Sequence, residues 1–141
     1  MEVPLVRAKP VAISIDLTGV HVLIVEDDED SRQLLATLFE HCSALVTTCH
    51  STESALQDLA EYRPHVVVSD LSLPGADGFE FIRALRKLPR GAGGDVAAIA
   101  VSAYTREFTA AQAKSAGYTG YLAKPVNLED LVTLVRDLVT P

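Results

Sequence analysis

The sequence predicts a doubly wound α/β fold, a five-stranded parallel sheet with helices on both faces. Three observations carry that expectation. Short apolar runs alternate five times with segments whose apolar residues recur at helical spacing, and there is no internal repeat. The third run, Val66-Val67-Val68, is β-branched throughout, as suits a strand covered on both faces. Polar residues close four of the runs, at Glu26-Asp27, Asp70, Ser102 and Lys124. In a parallel sheet all carboxyl ends lie on one edge, where open α/β folds collect their ligands.

Residues 1–19 hold Pro4, Pro10 and Gly19 without a sustained period and read as a tail or linker before a domain spanning 20–140. His21 to Val25 is the first strand. It runs into Glu26-Asp27-Asp28-Glu29-Asp30, after which Leu34, Leu35, Leu38 and Phe39 mark a helix. The first acids therefore occupy a strand-to-helix loop, and those nearest the helix favour its positive dipole end. Ala44 to Cys49 is the second strand, Ser51 caps a second helix carrying Ala55, Leu56 and Leu59, and Pro64 closes it. After Asp70, Pro74 and Gly75 stop the third strand and turn the chain.

A third helix is expected over about Phe79 to Leu88, with Phe81, Ile82, Leu85 and Leu88 on one side. The Pro89–Asp95 stretch, PRGAGGD, reads as a plain flexible surface connection, because it lacks the strand and the GK[ST] of a phosphate loop. Val96 to Val101 is the fourth strand. The helix after it, about Arg106 to Ser115, has only Phe108 and alanines for an apolar side, which predicts weak docking and freedom to move. Tyr118 to Ala123 is the fifth strand, and Asn127 caps a last helix with Leu128, Leu131, Val132, Val135, Leu138 and Val139 at helical spacing.

At 141 residues the chain suits one domain with one core. Lys and Arg number 12 against 19 Asp and Glu, a net charge of −7 with no basic run, which argues against contact with nucleic acid or an anionic membrane. Cys42 and Cys49 lack zinc-site spacing and read as buried free thiols. Arg7, Lys9, Pro10 and Asp16 interrupt the first twenty residues, so neither a signal peptide nor a membrane span is expected, and the cytoplasm is the expected location.

Taken singly, Asp27 and Asp70 can be caps, Ser102 can bond a nearby carbonyl, and Lys124 can be a solvated lysine. Their shared edge is harder to dismiss. Clustered carboxylates resist joint ionisation unless a cation is present, and open oxygen ligation suits Mg²⁺. Asp70 is then placed as a nucleophile able to form an aspartyl phosphate, with Lys124 and the Ser102 hydroxyl directed at phosphoryl oxygens.

With this combination the chain resembles the receiver domain of two-component response regulators over about residues 20–139. The motifs are VLIVEDD, SDLSLPGADG, AVSAY and GYLAKP. The resemblance implies a flavodoxin-like strand order of 2-1-3-4-5 and phosphorylation at Asp70. It makes Asp27 a direct ligand of Mg²⁺ (or Mn²⁺), Glu26 a water-mediated one, and the Ser72 carbonyl a further ligand. Ser102 becomes the switch hydroxyl, Lys124 the phosphate-binding lysine, and Tyr121 the aromatic that swings inward. The Lys124–Pro125 bond is expected to be cis. Ser stands at 102 where Thr is commoner, and Ser72 and Tyr104 fall where phosphoryl lifetime is tuned. A histidine kinase or histidine phosphotransfer protein would donate the phosphoryl group, an output protein or domain would read the switch, and turnover would be limited to the domain's own phosphoryl group. The DLTGVHVLIVEDD opening and the PRGAGGD loop are similar to those of receivers in hybrid histidine kinases.

Two other classes use related parts. Phosphatases of the haloacid dehalogenase type share Asp, Ser or Thr, Lys and Mg²⁺, but their nucleophile follows the first strand, with a second Asp two residues on, where this chain has Ser72. A flavodoxin-like cofactor binder would need a flavin phosphate loop. A receiver reduced to a constitutive docking module would lack part of the acidic and lysine set.

Overall fold

The computed structural model describes residues 13–71, 78–102 and 110–140. Five strands, β1 (His21–Val25), β2 (Leu45–Cys49), β3 (Val66–Asp70), β4 (Ala97–Ser102) and β5 (Gly120–Ala123), form one parallel sheet in the order β2-β1-β3-β4-β5. The helices are α1 (Glu29–His41), α2 (Thr52–Tyr62), α3 (Gly78–Arg86), α4 (Ala110–Ala116) and α5 (Leu128–Val139). β1 and β3 are buried at every residue, which is what apolar β-branched strands in the middle of a doubly covered sheet achieve. The two faces carry separate cores. Leu23, Val25 and Val67 pack with Leu59 of α2 and Phe81, Ile82 and Leu85 of α3, while Val22, Ile24 and Val68 pack with Leu38 and Phe39 of α1 and Leu131 and Val135 of α5. Period-two alternation along each strand distributes these side chains.

Local signals place the helix starts. Asp28, Ser51 and Asn127 each accept a backbone N–H from the residue three further on, at 2.8, 3.2 and 3.0 Å. Glu29 and Asp30 belong to the first turn of α1, so the acidic run is divided between a loop (Glu26, Asp27), a cap and a helix. Arg63 ends α2 in the left-handed conformation, before Pro64. Where both ends are described, the expected elements recur with ends displaced by a residue or two; β5 starts at Gly120 because the Tyr118 N–H still closes the turn after α4 on the Ala113 carbonyl. The expected start of the fourth helix and its Phe108 lie outside the described residues. Of the seven residues of α4 only Ala113 is buried, as the lean apolar side of this helix foretold.

Two stretches differ from their sequence reading. Ahead of β1, Leu17 is 1% exposed, its N–H donates to the Cys42 carbonyl at 2.7 Å, and Ile13 and Ile15 pack against the α1/α5 core. Apolar residues at every second position lay this segment on the domain, although Pro4, Pro10 and Gly19 disguise the period. The Pro89–Asp95 connection is not a plain loop. It contains a 3-10 turn (Arg90–Ala92), and a Cβ on Gly94 would sit 1.8 Å from the Leu88 carbonyl oxygen. Arg86 bolts it down, donating from Nη1 to the carbonyls of Gly94 (3.0 Å) and Val96 (2.6 Å) and from Nε to that of Gly117 (2.9 Å).

Cys42 and Cys49 are buried free thiols, and burial pushes that of Cys49 up to about 12, with the Asp58 charge acting the same way. Among the described residues no helix is long and apolar enough to cross a membrane.

Candidate functional site

The carboxyl ends of β1 and β3 are neighbours, because Val25 pairs with Ser69 across the sheet. The next residues, Glu26 and Asp70, therefore emerge side by side. Each of Glu26, Asp27 and Asp70 offers one carboxylate oxygen, and the three oxygens lie within 4.8 Å of one another. Glu26 and Asp70 are buried, at 3% and 7% exposure, and Asp27 is open to solvent. Two of the three clustered carboxylates are thus buried and the third is wet.

Lys124 comes from the far edge. Its backbone N–H donates to the Ser102 carbonyl at 2.7 Å, which fixes the chain as it leaves β5, and its Nζ reaches Asp70 Oδ2 at 3.0 Å and Glu26 Oε1 at 3.7 Å. Lys124–Pro125 is cis, as the resemblance implied. Ser102 is fully buried on β4, one residue past Val101, the partner of Asp70. Tyr121 is half-buried on β5, pairs with Ala100 and packs against the α2/α3 core. Ser72 and Tyr104 lie outside the described residues. The structure thus brings Glu26, Asp27, Asp70 and Lys124 together and sets Ser102 on the same edge.

The electrostatics follow from crowding. Burial first, and the neighbouring Asp70 charge second, push the Glu26 carboxyl up from 4.5 to about 7, against the Asp28 N–H on Oε2 (3.2 Å) and the Lys124 charge. Burial alone would lower the Lys124 ammonium, but its hydrogen bond to Asp70 and the charges of Asp70 and Glu26 outweigh burial and raise it. Among the described residues one ammonium serves two buried carboxylates with a third beside them, so that set carries excess negative charge on hard oxygens. That donor set fits a divalent cation of the oxygen-binding kind.

Sequence reasoning missed Arg32. From α1 it donates Nη1 to the carbonyls of Glu26 (2.9 Å) and Asp27 (3.4 Å), which holds the acidic backbone against the helix. Its position six residues after Glu26 was the available signal, since one helical turn past the cap brings a long side chain back over the loop.

The nucleophile of a dehalogenase-type phosphatase would follow β1, whereas Asp70 follows β3. Known proteins agree in pointing elsewhere. Residues 22–136 match the response regulator receiver domain. A protein of Leptolyngbya boryana described as an uncharacterized 14.6 kDa protein in the sodA1 3′ region is 39% identical over 120 residues, covering 85% of this chain and 90% of that one. The KDP operon transcriptional regulatory protein KdpE of Escherichia coli is 34% identical over 82% of this chain, which spans only 49% of the regulator. The solved Francisella response regulator 1452 receiver domain superposes with a TM-score of 0.78 at 26% identity, covering 86% of this chain and 97% of that one. A matching profile over most of the length, relatives above 30% identity and a superposing receiver fold leave one conclusion: this chain belongs to the response regulator receiver domains, the phosphoacceptor modules of two-component signalling.

Proposed function

We propose that Asp70 is the phosphoacceptor and that Glu26, Asp27, Asp70 and the Ser72 carbonyl hold the divalent ion, Mg²⁺ or Mn²⁺, with Glu26 acting through water. The observation that carries this reading is the Lys124 Nζ–Asp70 Oδ2 contact of 3.0 Å beside three carboxylates within 4.8 Å. Receiver domains work with histidine kinases or phosphotransfer proteins, and the donor proposed here is a phosphohistidine of such a protein. An Asp70 carboxylate oxygen attacks phosphorus, the P–N bond breaks, and its electron pair leaves with the imidazole nitrogen; the ring departs as neutral imidazole because its other nitrogen carries a proton. A bound cation would supply charge neutralisation for the phosphoryl oxygens. Lys124, already within ion-pair distance, moves its charge from the carboxylate to a phosphoryl oxygen, and Ser102 donates its hydroxyl to another.

The output is a binding event at the face of α4 and β5, where α4 buries only Ala113 and Tyr121 is half-buried. Tyr121 is proposed to follow Ser102 inward, and an output protein or domain to read the change. The functional domain is proposed as 20–140 together with the 13–17 segment packed on it, working in the cytoplasm without contact with nucleic acid or membrane, which the net charge of −7 disfavours. Kinship with hybrid-kinase receivers is proposed on the opening and loop motifs. Incubation with acetyl phosphate tests the reading. A hydroxylamine-sensitive phosphoryl adduct is expected only with Mg²⁺ and only with Asp70 intact, and an adduct that persists in Asp70→Asn contradicts it.

A further inference from the structure

Tyr118 stands at the turn between α4 and β5, remote in sequence from the acidic edge, yet its hydroxyl ends beside it. It is 3% exposed, and its Oη donates to the Gly78 carbonyl at 2.7 Å. Gly78 is the first residue of α3 and lies against the backbone that leaves β3. Its N–H donates to the Leu71 carbonyl at 2.8 Å, and a Cβ placed on it would stand 2.7 Å from Leu71 Cα and 3.0 Å from the Asp70 carbonyl oxygen. Leu71 is itself fully buried and donates its N–H to the Val101 carbonyl at 3.0 Å. A phenol oxygen, a glycine peptide and the Asp70–Leu71 peptide therefore stand in continuous contact. The other end of Tyr118 is held by its own N–H on the Ala113 carbonyl, at 3.0 Å, in the last turn of α4.

We infer that Tyr118 is a positioning residue for the Asp70 site: by holding the Gly78 carbonyl it presses the start of α3 onto the Asp70–Leu71 backbone and keeps the carboxylate in register with Glu26 and Asp27. The inference rests on the metal-site reading above. A small residue at 78 permits the close approach, and a hydroxyl at 118 maintains it. A phenylalanine at 118 would fill the same volume and leave the Gly78 carbonyl buried without that donor. Because the same residue is tied to α4, displacement of that lightly buried helix reaches the Asp70 backbone through this side chain, so Tyr118 couples the acidic edge to the face that carries the output.

The test compares wild type, Tyr118→Phe and Ile82→Val by amide NMR during titration with Mg²⁺ alone. Ile82 is fully buried on α3 in the same core, so its truncation loosens packing without touching the Tyr118 hydroxyl. Tyr118→Phe is expected to raise the Mg²⁺ dissociation constant about tenfold, the scale of losing an outer support of a metal ligand, and to speed hydrogen exchange at the Gly78 amide. Ile82→Val is expected to leave the constant within about twofold, as a change confined to core packing should. A wild-type constant retained in Tyr118→Phe, or raised as much in Ile82→Val, overturns the role of Tyr118 alone. A wild type whose Glu26–Asp28 amides do not respond to Mg²⁺ overturns the metal-site reading and this inference with it.

Discussion

Lys124 Nζ and Asp70 Oδ2 stand 3.0 Å apart although 54 residues separate them. The ammonium occupies a carboxylate oxygen and is the cation already resident at the acidic edge, so it competes with a metal ion and later serves the phosphoryl group. Lys124→Met should therefore shift two quantities in opposite senses. Mg²⁺ affinity should rise, since a competing charge is removed, while the rate of phosphorylation by acetyl phosphate should fall about 10²-fold, the scale of one lost charge-stabilising donor. Calorimetric titration and adduct kinetics on the same samples check both, and an undiminished rate would count against the assigned role.

Glu26 sets a pH dependence whose sign is definite. Its folded value, about 7, lies above the ordinary 4.5, so the folded metal-free protein prefers the protonated acid. The favourable contribution is complete below about 4.5 and is lost as pH rises through about 7. In EDTA, Glu26→Gln should thus be as stable as wild type near pH 4 and more stable at pH 8, by up to about 3 kcal/mol. Added Mg²⁺ at pH 8 should reverse the order, because the ion stabilises the wild-type carboxylate. Urea midpoints across pH read the difference, and a difference independent of pH contradicts the stated burial effect.

His21 shows the opposite sign. Burial and then the His65 charge lower its pKa below 6.5, and Nε2 lies 2.7 Å from Thr47 Oγ1. The unfolded chain takes up this proton first, so stability is lost as pH falls below 6.5. His21→Leu should flatten the wild-type decline between about pH 6.5 and 5, followed by thermal melting. An unchanged slope would remove His21 as its source.

How far the site was legible in the sequence follows from what each residue needs. Glu26, Asp70 and Lys124 each interrupt an apolar run at a strand end, and a parallel sheet delivers all its strand ends to one edge, so periodicity located them there; that Lys124 reaches Asp70 from β5, across β4, could not be read from it. Arg86 and Tyr118 were not legible that way. An arginine in the last turn of a helix reads as solvated, and whether it folds back onto Gly94, Val96 and Gly117 depends on where other elements lie. Tyr118 read as the first residue of a strand, while its hydroxyl partner lies 40 residues earlier. Leu17 was missed for a simpler reason, since a few apolar residues beside prolines and glycine carry too little pattern to show docking.

Arg86 supports the fold rather than the chemistry. Burial lowers its pKa, and its three carbonyl partners would lose their donor together in Arg86→Met. A loss of roughly 1–3 kcal/mol in chemical denaturation is expected, as for a half-buried charged donor removed from several acceptors. Mg²⁺ affinity of the folded variant should remain, because Arg86 touches none of the acidic residues. A variant as stable as wild type would contradict the reading of the Pro89–Asp95 connection as a pinned turn.

The central claim is that the carboxylate at 70, and no other of the clustered acids, accepts the phosphoryl group. Reductive trapping measures this directly: the chain is phosphorylated with acetyl phosphate and Mg²⁺, treated with borohydride, digested and sequenced by mass spectrometry. Homoserine is predicted at position 70, absent without Mg²⁺. Homoserine at 27, the corresponding reduced residue at 26, or unmodified peptides throughout would contradict the account.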